Sequence, residues 1–101
     1  MGETTKSSVM VVFTFDVPVD RQPEYLKLTQ DKIKPFWESH GCQSYSLWQP
    51  IDSPTAFVKE MAFEDRAAME KTMALDEAKP IKELFQKFAQ GVSRKVCIHK
   101  I

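Results

Sequence analysis

From Val9 onward the apolar positions alternate between two rhythms, one of strands and one of helices. Val9–Phe15 is a β-branched and aromatic run, with Val9, Val11, Phe13 and Phe15 in one phase and Met10, Val12 and Thr14 in the other. Apolar residues in both phases predict a strand covered on both faces. Asp16–Gln22 then carries turn chemistry, with Pro18, Asp20 and Pro23 as helix-start signals. A first helix is predicted from about Pro23 to Ser39, with Leu26, Thr29, Ile33, Phe36, Trp37 and His40 near one face. Pro35 cannot donate to the carbonyl of Asp31, so it should kink or shorten that helix. Gly41 suits its end, because glycine enters the left-handed region without steric cost.

The second half repeats the alternation. Cys42–Gln49 reads as a strand with Tyr45 and Leu47 on one face and Ser44, Ser46 and Trp48 on the other. The turn Pro50-Ile51-Asp52-Ser53-Pro54 leads into a hairpin partner, Ala56–Ala62. Asp65 is placed to cap a short helix carrying Ala68, Met69, Thr72 and Met73. Asp76 opens another helical piece, in which Ile81, Leu84, Phe85 and Phe88 form the cleanest helical stripe of the chain. Gly91 is expected to end it, and Val92–Ile101 to form a last strand.

That order is βαββαβ. With right-handed crossovers it gives an α+β, ferredoxin-like antiparallel sheet in spatial order 4-1-3-2, with the helices on one face. The apolar residues on the other face of the first strand then need a cover. A second copy of the chain is the simplest one, giving a homodimer and a dimeric α+β barrel.

Length narrows this to one domain over residues 9–101, since 101 residues are too few for two. Met1–Ser8 is polar, lacks the apolar core of a signal peptide and is expected to be a tail. Fourteen basic and fourteen acidic residues cancel, which argues against nucleic acid as a partner. No apolar run is long enough to span a bilayer, so no membrane partner is expected. Two cysteines without an export signal point to a cytoplasmic setting. Cys42 and Cys97 fall on opposite edges of the predicted sheet, too far apart to pair, and read as two buried thiols.

No metal-ligand spacing, phosphate loop or serine elbow occurs, and no metal or cofactor is expected. His40, at a helix end, can stabilise the terminus or accept a proton at a pocket rim. His99 reads as an exposed edge or dimer-contact residue. Trp37, Tyr45, Trp48, Phe63 and Phe85 are core aromatics or the lining of an apolar cavity, to which Thr14, Tyr45 and Thr72 could offer polar contacts.

The segment His40–Phe88, with Gly41-Cys42, Phe63-Glu64-Asp65 and Ala68-Met69, resembles the antibiotic-biosynthesis-monooxygenase-like family of the dimeric α+β barrel superfamily. Catalytic members often carry a tryptophan where this chain has Phe63 and a histidine where it has Thr72. Some haem-degrading relatives use a first-strand asparagine, and this chain contains no asparagine. The resemblance implies a cofactor-independent enzyme that holds a compact aromatic or quinol-type substrate between helices and sheet. In that reading Thr14, Tyr45 and Thr72 orient the substrate, with His40 a further candidate, while Trp37, Trp48, Phe63 and Phe85 line the pocket and exclude water. The altered tryptophan and histidine positions are what the alternative predicts, a small-ligand-binding or accessory dimer without turnover.

Overall fold

A computed structural model describes residues 7–101 of the chain. Apart from Ser7 and Ser8, the tail expected over Met1–Ser8 lies outside the described residues. The chain runs β1 (Val9–Asp16), a short 3-10 turn, α1 (Gln22–Leu28), a π-helical turn (Thr29–Ile33) and α2 (Lys34–Ser39). It continues with β2 (Ser44–Trp48), β3 (Ala56–Phe63), α3 (Arg66–Met73), α4 (Ala78–Phe88) and β4 (Gln90–Ile98). The four strands form one antiparallel sheet in the order β2-β3-β1-β4, so the ferredoxin-like βαββαβ arrangement is observed.

Pro35 neither breaks the first helix nor leaves it regular. Just before it the ladder widens, and the Lys34 N–H bonds to the carbonyl of Thr29, five residues back. Pro35 then falls in the first turn of α2, where a missing N–H is harmless. The wider turn also corrects the expected inner face. Tyr25, Thr29, Ile33 and Trp37, each four residues apart, are buried, while Leu26 is exposed.

In β3 the phases separate cleanly. Phe57, Lys59, Met61 and Phe63 are buried beneath the helices, and the residues between them are half-buried. β1 shares that inner face through Val9, Val11 and Phe15. Its outer residues Met10 and Val12 are only half-buried in a single chain, and Thr14 is exposed. The α4 stripe closes the core from above. Phe85 meets Phe15 edge-on at 4.9 Å between centroids, and Phe88 lies 5.6 Å from Tyr25. Each such ring contributes about 1.5–3 kcal/mol by leaving water.

Gly91 does not end the last helix, as expected, but sits inside β4. The helix stops at Phe88, followed by Ala89 in extended geometry. Opposite β1 the register slips between Thr14 and Asp16, giving β4 one extra residue, and Gly91 has φ 59° there. A glycine in the left-handed region is what such a bulge requires. β4 starts two residues earlier than expected and stops at Ile98, and all nine of its residues are exposed. Cys42 is buried, but Cys97 is exposed on this edge strand, which corrects the expectation of two buried thiols. Among the described residues, no helix is long and apolar enough to cross a membrane.

Candidate functional site

Between the inner face of the sheet and α4 lies a cavity of about 350 Å³, within the size range of small-ligand sites. Phe13 of β1 and Lys59 and Met61 of β3 form its floor, and Trp37 and Met73 stand on the sides contributed by α2 and α3. Ile81 and Phe85 of α4 roof it, and Arg94 of β4 with Gln86 of α4, both exposed, mark the rim.

Lys59 is the unusual member. It is 3 % exposed, yet among the described residues its amine makes neither an ion pair nor a hydrogen bond. Its partners are π faces. The Nζ lies 3.6 Å from the centroid of Phe85 and 4.3 Å from that of Phe13, with the Tyr45 ring at 5.8 Å. Such contacts favour a cation but do not replace a hydration shell. Burial therefore pushes the Lys59 amine down to about 7, so neutral and charged forms coexist near neutral pH. The chain is neutral overall, but this cavity is not. Lys59, Lys82 and Arg94 line it, and no carboxylate does.

The residues expected at a site are scattered by the fold. Trp37 and Phe85 line the cavity. Tyr45 is buried on the inner face of β2 next to Lys59. Thr14 is exposed on the outer face of β1, away from the helices, because it occupies the opposite phase to Phe13 and Phe15. Trp48, 60 % exposed on the same outer face, donates from Nε1 to Glu60 at 3.2 Å and lines no cavity. Phe63 is fully buried core, paired with Val9 at the far end of β1.

Thr72 and His40 belong to another device. The Thr72 hydroxyl donates to the His40 carbonyl at 2.7 Å, tying α3 to the end of α2. Gly41, with φ 112°, lets the two approach, since a Cβ there would lie 2.6 Å from Thr72 Oγ1. The His40 ring stacks on Phe36, with Nδ1 2.7 Å from the Phe36 carbonyl and Nε2 4.0 Å from Glu77. Neither Thr72 nor His40 lines the cavity.

A second buried polar group lies behind Lys59. The hydroxyls of Tyr25, Thr29 and Tyr45 close no hydrogen bond among the described residues, although they lie near enough to bias one another's ionisation. Burial pushes the Tyr25 phenol up to about 12 and that of Tyr45 still higher, so both stay neutral. Sequence reasoning missed Lys59, Phe13, Arg94 and Tyr25. For Lys59 a signal existed, a lysine in phase with Phe57, Met61 and Phe63. A larger depression, about 780 Å³ between α3 and β4, is lined mostly by exposed residues and mixes Asp65 and Glu70 with Arg66 and Arg94.

The family model described as antibiotic biosynthesis monooxygenase matches residues 8–90. Among curated proteins none matches the chain. Solved structures share its fold. SnoaB of Streptomyces nogalater, described as a cofactor-independent oxygenase, superposes with a TM-score of 0.76 at 14% identity, over 94% of this chain and 95% of that one. A Caulobacter crescentus protein, solved as a candidate antibiotic biosynthesis monooxygenase, gives 0.81 at 15% identity, over 96% and 93%. Rv0793 of Mycobacterium tuberculosis gives 0.74 at 20% identity, over 94% and 97%.

Proposed function

The chain belongs to the antibiotic biosynthesis monooxygenase family, and from that premise we propose a cofactor-independent, monooxygenase-like enzyme acting on a compact aromatic or quinol-type substrate. The observation that carries this reading is the cavity over Phe13 and Phe85, apolar on most sides, with a single buried amine in its floor. A flat, electron-rich ring fits such walls, and stacking against Phe13, Trp37 and Phe85 would hold it away from water. The substrate then supplies the electrons to dioxygen itself. The chain's own work is to bind, orient and dry it.

We further propose that the working unit is a cytoplasmic homodimer. Family members typically form dimers, and the half-buried Met10, Val12 and Val58 together with the exposed β4 offer the surface that a second copy would cover. Native mass spectrometry should give twice the chain mass, and a monomer at micromolar concentration would sink this part.

Turnover is tested by oxygen consumption with a panel of quinols and electron-rich phenols. Uptake is expected, and Ile81→Trp, which fills the roof of the cavity, should abolish most of it. A second reading, ligand binding without turnover, is favoured by one observation. Both Thr72 and His40 are engaged with each other's elements rather than with the cavity. Saturable binding of panel compounds without uptake would select it.

A further inference from the structure

A buried amine with aromatic faces on two sides, and no acid within reach, is complementary to one kind of ligand group. It lacks an anion. The floor supplies none, since Phe13 and Met61 are apolar. The flanking elements supply none either. α2 contributes Trp37, α3 contributes Met73, α4 contributes Lys82, whose Nζ donates to the Met73 carbonyl, and β4 contributes Arg94. The remaining titratable groups nearby are the Tyr45 phenol on β2 and the Cys42 thiol before it, and burial raises both. A cavity lined by three cations and no carboxylate, in a chain of zero net charge, disfavours cationic ligands and attracts anions.

We infer that Lys59 is the acid–base partner of the ligand: its Nζ takes the proton of an acidic ring hydroxyl and holds the oxyanion that results, so the cavity selects phenols and enols over neutral aromatics. The inference rests on the aromatic-ligand reading above and deepens it. The step balances without a further reagent. The ligand O–H bond breaks, an N–H bond forms on Lys59, and a neutral amine and neutral phenol become an ammonium and a phenolate in contact. Arg94, at the rim, reinforces the same sign of field. An amine near 7 supplies the neutral form at physiological pH, which an ordinary lysine does not. The product is also what the proposed chemistry needs, because a phenolate surrenders electrons to dioxygen more readily than its phenol.

The test uses 4-nitrophenol, whose anion is yellow, and 4-nitrotoluene, its non-ionisable counterpart of similar shape. The purified full chain should bind the phenol about tenfold to a hundredfold more tightly, as a charge-assisted hydrogen bond gives. The yellow phenolate band should appear with protein at a pH where the free probe is largely colourless. Lys59→Met should remove both the band and the preference while still binding 4-nitrotoluene as the wild type does, which also shows that the variant is folded. Equal affinity for the two probes, or a band that survives Lys59→Met, would overturn the role of Lys59 and leave the aromatic cavity standing. A band lost in Arg94→Gln but kept in Lys59→Met would overturn it as well, in favour of the rim. Binding of neither probe would overturn it together with the ligand site. Phenolate binding without oxygen uptake by any panel quinol would leave this inference intact and remove only the oxygenase reading.

Discussion

Two polar side chains are almost equally buried under the helices, Thr72 at 4 % exposure and Lys59 at 3 %, and they have opposite surroundings. Thr72 has a carbonyl at 2.7 Å, at a junction where a glycine was needed to allow the approach. Lys59 has rings, a cavity and no hydrogen-bonding partner among the described residues. A satisfied buried polar group stabilises the native state, whereas an unsatisfied charge destabilises it and persists where something else depends on it. The contrast separates structure from function better than residue type does. Threonine is the commoner substrate-orienting residue of the two, yet here it is the latch.

The harshest way to break the comparison is to attack the latch at its glycine. Gly41→Ala places a Cβ against Thr72 Oγ1 at a φ that non-glycine residues rarely adopt, and should lose about 3 kcal/mol of stability in urea denaturation. An unchanged midpoint would mean that the junction is soft. Removing the amine should act with the opposite sign. Lys59→Met is expected to stabilise the chain by about 2 kcal/mol below neutral pH. The pH dependence follows from the depressed amine. Lys59 titrates at about 7 in the folded chain and near 10.4 when unfolded, so across that window the unfolded state holds the extra proton. Wild-type stability should therefore climb from pH 7 towards pH 10, with the destabilisation fully present below 7. The gain from Lys59→Met should shrink over the same range. A gain that stays flat across this window would show that the buried amine is not its cause.

Thr72→Val cuts the latch more gently. It strands the His40 carbonyl and should cost about 1–2 kcal/mol, with aromatic-probe affinity unchanged. A large loss of probe affinity in a folded Thr72→Val protein would return Thr72 to the site. The smallest effect belongs to Tyr45→Phe. Its hydroxyl makes no hydrogen bond among the described residues, so thermal unfolding should move by less than about 1 kcal/mol in either direction. A larger loss would reveal a partner for it.

The strand order, the antiparallel pairing and the Asp65 cap were legible in the sequence because each rests on a local signal. Asp65 illustrates this, since its carboxylate accepts from the Ala68 N–H at 2.8 Å, as its spacing suggests. The phase of the first helix was not legible. Period alone turns Leu26 inward, and only the widened turn after Leu28 makes Tyr25 the buried residue. The site was half legible. Trp37 and Phe85 follow from their stripes, but Thr14 and Trp48 follow the wrong phase of their strands. Aromatic and hydroxyl side chains drew attention by chemistry, while Lys59 was passed over although its place in the alternation made it a buried lysine.

The π-helical turn at Thr29–Ile33 has a consequence for how this pocket can change over evolutionary time. A turn that closes on the fifth residue holds one residue more than an α-helical ladder needs. Losing any one of these five residues would restore an ordinary ladder and rotate everything beyond it by about 100°. Trp37 would then swing away from the cavity, and the end of α2 would no longer meet Thr72. Single substitutions repaint this wall, but a change of one codon in length would re-aim it.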